Sequence, residues 1–226
     1  MKKLLIVLLL AGASVASMAQ ENDATEKYSV ATNSFWSNWF IQAGAEWNAW
    51  YGNYEDGRGW SKSPFKKFRS NPGASIAIGK WFTPGIGLRT KLQGIWGKAV
   101  YSDQNKGNGN KYWILNEQVM FNLSNMFCGY NPDRVWNFIP FAGGGAGRAM
   151  GWSVGILNEF WVSRKVAINF ELGWNRMESD ICGMPADMGE GFLMSHPNNV
   201  YAEVGITYNV GKGTWNKVPD VDAIKA

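Results

Sequence analysis

The fold is decided by one stretch near the end of the chain, Val200–Gly211, which reads VYAEVGITYNVG. Apolar residues hold its even positions from Ala202 to Val210, while the odd positions between them are mostly polar or small, as at Glu203 and Thr207. This alternation predicts a β-strand with one apolar and one polar face. Roughly ten residues is long for a soluble strand and matches a tilted strand that crosses a bilayer. We therefore expect the other segments to pair with this strand into one closed sheet.

The first residues have the pattern of a secretory signal peptide. Met1–Lys3 carries positive charge, Leu4–Leu10 is apolar, and Ser17–Ala19 supplies the small residues of a cleavage site. A membrane-anchoring helix is disfavoured, because the apolar run is too short for a hydrocarbon core of roughly 30 Å. Cleavage after Ala19 removes two lysines and lowers the net charge from +4 to +2. A charge of this size is no argument for nucleic-acid binding.

The composition points to an all-β protein. The chain contains 27 glycines and 13 tryptophans, and only 18% of its residues are charged. Richness in glycine and aromatic residues without helical heptads favours many tryptophan-anchored strands. No second long apolar helix follows the leader in the sequence, so a membrane protein with this sequence would have to be a barrel.

The alternation seen in the last strand recurs in seven earlier segments, which gives eight predicted strands. They begin near Trp39, Ala74, Ile86, Trp113, Asn137, Ser153, Ile168 and Val200. Five of the seven connections follow the barrel rule of short turns at one end and longer loops at the other, whereas the links at 124–136 and 150–152 do not. Glu117 is also out of place, because it falls on an apolar row. A position near the membrane rim or a bulge that shifts the register would accommodate it.

The third predicted strand carries two cations, Arg89 and Lys91, on one face. Facing lipid would cost roughly 2–4 kcal/mol for each at mid-depth, so we expect both to point inward. Eight-stranded barrels are narrow enough to be filled by side chains, and buried charges need partners. The predicted network inside the barrel comprises Glu46, Arg89, Lys91, Arg148, Glu159, Glu171 and Glu203. We expect the two cations to pair with Glu46, Glu159 or Glu171. The alternative is that these charges exchange partners and gate a narrow pore.

Tryptophans near the strand ends predict aromatic girdles at the two membrane interfaces. Those on the apolar rows are Trp39, Trp96, Trp113 and Trp174. A carbohydrate-stacking surface is the alternative, and it is disfavoured because these rings are spread around the sheet rather than gathered at one site.

Several segments resemble the N-terminal eight-stranded barrel of the outer membrane protein A (OmpA) family. They are Pro140–Gly143, Val166–Leu172, Val204–Gly211 and, more weakly, Met120–Asn125. The resemblance implies an eight-stranded antiparallel up-and-down transmembrane β-barrel in the outer membrane, with a role in envelope integrity or adhesion. Within the last strand, Gly205, Tyr208 and Val210 resemble the signal that the barrel-assembly machinery recognises.

This interpretation divides the chain into a signal peptide (1–19), a flexible periplasmic segment (20–34), the barrel (35–211) and a periplasmic tail or linker (212–226). The OmpA family usually continues into a peptidoglycan-binding domain, and Trp215–Asp222 resembles the start of that linker. A peptidoglycan tether is therefore expected only if a further domain follows. Outer-membrane lipid and lipopolysaccharide are the expected surroundings, and the basic loop at 52–71 is a candidate for contacts with lipopolysaccharide phosphates.

Other functions have weaker support in the sequence. Ser195 and His196 adjoin in a predicted loop where nothing makes their side chains converge, so we expect no catalytic residues, although a lipid-modifying surface hydrolase remains an alternative. One histidine and two cysteines leave no metal-ligand cluster of the usual spacing, and we expect no cofactor. Cys128 and Cys182 are predicted to lie at opposite ends of the barrel as free thiols. A soluble lipocalin-like barrel would need an apolar interior and a polar exterior.

Overall fold

The computed structural model describes residues 28–30, 34–51, 70–99, 110–147, 150–177 and 198–219. Eight long strands form a closed barrel in which each pairs antiparallel with its neighbour in the chain, and the last pairs with the first. They are β1 (Trp39–Tyr51), β2 (Ser70–Trp81), β3 (Ile86–Ile95), β4 (Ile114–Phe121), β5 (Trp136–Gly147), β6 (Met150–Trp161), β7 (Val166–Met177) and β8 (Asn198–Val210). The predicted eight-stranded antiparallel up-and-down barrel is confirmed.

The register fixes how the strands tilt. Following paired residues once around the barrel from Phe40 on β1 leads back to Trp50 on the same strand, an offset of ten residues. An eight-stranded barrel with this shear has strands tilted by about 35–45° to its axis. Most strands have 12 or 13 residues. At about 3.3 Å per residue and this tilt, they span roughly 30 Å, which is the thickness of a bilayer core.

The polarity of the barrel is the reverse of that of a soluble protein. Large apolar side chains face outward and are exposed, including Leu172 at 64% and Ile206 at 56%. Polar and charged side chains fill the inside, where Arg89 and Glu171 are 1% and 2% exposed. This arrangement contradicts the soluble lipocalin-like alternative. No helix within the described ranges is long and apolar enough to cross a membrane.

The end of the barrel next to Trp39 and Val210 carries two tight turns. In the turn at 82–85, the hydroxyl of Thr83 accepts hydrogen bonds from the N–H groups of Gly85 and Ile86 at 3.2 and 2.9 Å. Ser163 has the same role in the turn at 162–165. Because the side chain satisfies the turn's own donors, each hairpin closes with few residues.

The third connection at this end contains a short helix, α1 (Leu123–Cys128). Asn122 caps its N-terminus by accepting a hydrogen bond from the N–H of Asn125 at 3.0 Å. At its C-terminal end, Arg134 donates to the carbonyl oxygens of Ser124, Cys128 and Gly129. This helix explains why the link predicted at 124–136 is too long for a simple turn.

The position predicted for the other irregular link, 150–152, was wrong. The segment 150–152 belongs to β6, and β5 ends at Gly147, so the link lies between Gly147 and Met150. At the same end of the barrel, Lys98–Ala99 and Asn110–Lys111 form a short hairpin beyond β3 and β4.

Glu117 is not accommodated by a bulge in its own pairing, which corrects one expectation. The register between β3 and β4 is unbroken, and the irregularity lies between β2 and β3, at Ala74 and Ile76. Glu117 faces outward, is exposed, and lies in the middle of β4. The hydroxyl of Thr90, directly opposite on β3, donates to its carboxylate at 2.6 Å. The lipid-facing surface therefore carries one hydrogen-bonded carboxylate well inside its apolar band.

The chain divides into two compact units, and the barrel belongs to Asn33–Thr214. The second unit comprises Met1–Thr32 and Trp215–Ala226, where Tyr28–Val30 pairs antiparallel with Lys217–Pro219. The predicted signal peptide and the loops around 52–69 and 178–197 lie outside the described residues, so the predicted segment limits stay predictions.

Candidate functional site

The centre of the barrel interior is an ion-paired cluster around Glu171 on β7. Its carboxylate contacts Nη1 of Arg89 and Nζ of Lys91 at 2.8 Å each, and Lys91 also contacts Glu203 at 2.6 Å. The side chains of all four residues are at most 4% exposed. The hydroxyl of Tyr201 donates a further hydrogen bond to Glu171 at 2.7 Å. Glu171 thus accepts from three donors in a region that water barely reaches.

Strand order explains why this cluster closes the lumen. β3 and β7 are four strands apart in either direction around an eight-stranded barrel, so Arg89 and Lys91 lie diametrically opposite Glu171. The two cations can reach their partner only by crossing the full width of the interior. The sequence predicted Glu46, Glu159 or Glu171 as partners, whereas the structure pairs the cations with Glu171 and Glu203.

Neutral groups satisfy the remaining donors of this cluster. The guanidinium of Arg89 donates to the side-chain oxygens of Gln118 and Gln42, and it lies 4.8 Å from the centre of the Phe141 ring. Ser75 donates to Glu203 at 2.8 Å. A buried ion pair is stable only when its other hydrogen-bonding positions are filled, and here they are.

Two further acids, Glu46 and Glu159, face the interior without a cation. Each is 2% exposed, and among the described residues neither has an ion-pair partner. Glu159 accepts from Thr207 at 3.1 Å, and Glu46 accepts from Gln93 at 3.1 Å. Arg148, which was predicted to offset the excess of acids, lies outside the described residues.

Glu46 orients a layer of amide side chains in the half of the barrel that is farther from α1. A carboxylate only accepts hydrogen bonds, so Gln93 and Asn48 must turn their NH₂ groups towards it. Their oxygens then accept from Asn116, Asn175 and Asn199. The distances are 2.6 Å from Asn116 and 3.3 Å from Asn175, both to Gln93, and 3.1 Å from Asn199 to Asn48. One acid thereby fixes the direction of five amides.

The half of the interior towards the tight turns holds an apolar cluster beside a buried polar group, in which Glu159 and Asn169 are hydrogen-bonded to Thr207. Phe40, Met120, Ile139, Phe141, Leu157 and Tyr201 form one cluster there, and each is at most 3% exposed. Side chains that water cannot touch do not border an aqueous channel. Along the described strands the interior is therefore filled by amides, ion pairs and an apolar cluster, and Phe141 and Tyr201 of that cluster contact Arg89 and Glu171.

The predicted girdle residues lie at the two ends of the barrel wall. Trp39 begins β1 at the end with tight turns, whereas Trp96, Trp113 and Trp174 lie towards the opposite end. Trp96 is 85% exposed, and Trp174 packs edge-on against Trp152 with ring centres 4.9 Å apart. Trp152 and the half-exposed Trp47 were not among the predicted girdle residues. Outward parity near a strand end would have identified both.

The three residues of the predicted assembly signal share β8 but not one face. Gly205 faces inward, and a Cβ atom there would lie 2.6 Å from the carbonyl oxygen of Ala43. Tyr208 and Val210 face outward and are each 42% exposed. Recognition by the assembly machinery stays a prediction.

No protein-family model matches the chain. A curated relative does: the chain is 27% identical over 159 residues to Outer membrane protein 40 of Porphyromonas gingivalis. The match covers 66% of this chain and 42% of that protein, so the chain spans less than half of this relative. The relative is an outer membrane protein, and the closed eight-stranded topology and the apolar exterior of this chain fit a barrel that spans a membrane. The chain is a closed eight-stranded β-barrel with an apolar exterior, and it is similar to an outer membrane protein.

Three solved structures have a related outline. Neisserial surface protein A gives a TM-score of 0.48 at 8% identity and covers 76% of this chain and 97% of its own. Ail of Yersinia pestis gives 0.44 at 11% identity, covering 77% and 99%. The N-terminal barrel of OprF from Pseudomonas aeruginosa gives 0.40 at 8% identity, covering 76% and 97%. Ser195 and His196, on which a hydrolase would depend, lie outside the described residues.

Proposed function

We propose that this outer-membrane barrel has a structural role, with an interior closed to steady ion flow and with loops available for surface contacts in envelope integrity or adhesion. The observation that carries the proposal is the bridge from Arg89 and Lys91 across the full lumen to Glu171. The apolar cluster around Phe40 and Leu157 forms a second barrier. Two buried clusters of different chemistry in one lumen favour a closed interior over a passage.

The experiment is a planar-bilayer recording of the refolded full chain. The structural role predicts no steady conductance at any applied voltage. It also predicts that Glu171→Gln stays closed, because the apolar side chains around Phe40 and Leu157 still occupy the lumen. A lasting conductance in the unmodified protein would contradict this role.

The second candidate is a narrow gated pore, and one observation favours it. Glu46 and Glu159 are buried acids without a cation, so they offer Arg89 or Lys91 an alternative partner. An exchange of partners would open the layer of ion pairs. For this function, Glu171→Gln should lengthen or create openings in the same recordings, which the structural role does not allow.

We propose further that the end with the tight turns and α1 faces the periplasm, as do both chain termini. Support comes from the rule that outer-membrane barrels have short periplasmic turns and longer external loops. Cys128 tests the orientation, because it is an exposed free thiol in α1. In a Cys182→Ser background, an impermeant maleimide should label Cys128 only after the outer membrane is opened. Labelling in intact cells would reverse the orientation.

Contacts with lipopolysaccharide, delivery by the barrel-assembly machinery and a peptidoglycan tether remain parts of the proposal. The relative is an outer membrane protein more than twice as long as the matched region, and its additional length supports asking whether this barrel works next to a further domain.

A further inference from the structure

The structure carries a symmetric motif at the rim of the barrel opposite the tight turns. Just beyond β3 the chain reads Trp96-Gly97-Lys98, and just before β4 it reads Lys111-Tyr112-Trp113. The short hairpin pairs Lys98 directly with Lys111. Both lysines and both tryptophans are exposed, while Ala99 and Tyr112 are buried. Directly opposed residues share one face of a sheet, so the two lysine side chains leave the hairpin on the same face.

A tight turn at Gly94–Gly97 and the ring of Tyr112 fix this motif in place. Gly94 and Trp96 both adopt positive φ, of 81° and 64°, and the N–H of Gly97 bonds to the carbonyl of Gly94 at 2.8 Å. The ring of Tyr112 lies under this turn, where it fills the space that a Cβ atom on Gly94 would need. A positive φ is unfavourable for tryptophan, so the contacts of this turn must hold the backbone of Trp96 in its conformation. In this conformation the ring is exposed.

The backbone of Lys98 is also fixed. The side chain of Asn71 on β2 donates to its carbonyl at 2.6 Å and accepts from its N–H at 2.8 Å. The side-chain amide of Asn71 thus connects β2 to the hairpin, so the backbone that carries the lysine pair is anchored to the barrel wall.

Two opposed lysines repel each other, and no carboxylate among the described residues lies within ion-pair distance of either. We propose that the pair binds a phosphate group on the glycolipid of the outer leaflet. A phosphate between the ammonium groups would turn the repulsion into two charge-assisted hydrogen bonds. The tryptophans mark where the apolar wall meets the headgroups, and the lysines lie just beyond, at the depth of headgroup phosphates. The inference rests on the proposed orientation.

The test uses the full chain, refolded in a neutral detergent, and the midpoint of thermal unfolding at increasing concentrations of lipid A. Lipid A with its phosphates should raise the midpoint, whereas dephosphorylated lipid A should not. Lys98→Gln/Lys111→Gln should need about 25-fold more lipid A for the same rise, since two near-surface cations are lost. Without lipid the double variant should be at least as stable as the unmodified protein, because the repulsion is gone.

Lys165→Gln is the matched control, because Lys165 is an exposed lysine in a tight turn at the other end. It should leave the response to lipid A unchanged. An equal response of the double variant, or of the unmodified protein to dephosphorylated lipid A, would overturn the proposal. Inorganic phosphate acting at the same concentrations as lipid A would overturn the lipid as the occupant. If lipid A fails while Cys128 labelling still places the hairpin outside, only this inference is lost and the proposed function stands.

Discussion

Two buried acids on adjacent strands should respond to the same substitution by very different amounts. Glu171 on β7 and Glu159 on β6 are each 2% exposed. Glutamine has nearly the shape of glutamate, so each Glu→Gln substitution removes a charge with little change in packing. Glu171 holds two cations, whereas within the described part of the chain Glu159 accepts from the neutral side chains of Thr207 and Gln42. The comparison separates the value of an ion pair from the cost of burying a carboxylate.

The magnitudes follow from what each substitution leaves behind. Glu171→Gln leaves Arg89 without an ion-pair partner and leaves Lys91 with Glu203 alone. Removing one partner of a buried pair costs about 3–5 kcal/mol, because the other charge stays buried. Glu159→Gln keeps an oxygen to accept from Thr207 and frees no cation. We expect the free energy of unfolding to change by about 1 kcal/mol or less in that variant.

The measurement is urea unfolding from phospholipid vesicles, followed by tryptophan fluorescence, with circular dichroism to establish that each variant folds. The midpoint for Glu171→Gln should fall well below that of the unmodified barrel, and the midpoint for Glu159→Gln should stay close to it. Equal losses in the two variants would refute the reasoning, since burial alone would then account for both. A Glu171→Gln barrel as stable as the unmodified one would show that the ion pairs contribute no net stability.

Two further predictions concern packing and the outer face. Gly143→Ala should cost about 1–3 kcal/mol in the same unfolding assay, because its Cβ would meet the carbonyl oxygen of Glu117. Gly144→Ala should be neutral, because its Cβ would make only an ordinary contact, 3.8 Å from the carbonyl oxygen of Gly151, and similar losses in both would contradict this. Glu117→Leu should raise the free energy of unfolding by about 1–2 kcal/mol, because it removes a carboxylate from the lipid-facing surface. A loss of stability would show that the hydrogen bond from Thr90 outweighs the cost of placing the carboxylate there.

Strand periodicity predicted which side chains face inward, because parity is a local property of an unbroken strand. Arg89, Lys91 and Glu171 were assigned to the interior in this way. The partners were predicted less well, and Glu203 was not among those named. Which acids meet which cations depends on the shear of the whole barrel and on the irregularity between Ala74 and Ile76, and neither is written in the alternation of a single strand.

Local interactions account for the connections that were missed. Helix α1 has only six residues, too few for a helical period to stand out. It depends on the Asn122 cap and on contacts from Arg134, ten residues after Ser124. The link between Gly147 and Met150 was equally hidden, because the alternation on either side of it is interrupted by glycines that fit strand and turn alike.

The closing strand β8 brings two acidic side chains close together, and a cation from β3 offsets their repulsion. Its register sets Glu203 directly opposite Glu46 on β1, so the seam that closes the barrel brings two buried acids together. The side chain of Glu203 lies over Gly44, in space that any larger residue would fill, and reaches Lys91 at 2.6 Å. Tyr201 occupies the corresponding space over Gly173 on the other side of β8. The glycines beside β8 thus leave room for its polar side chains to lean towards the cations of β3. The strand that closes the barrel wall therefore also supplies part of the plug in the lumen.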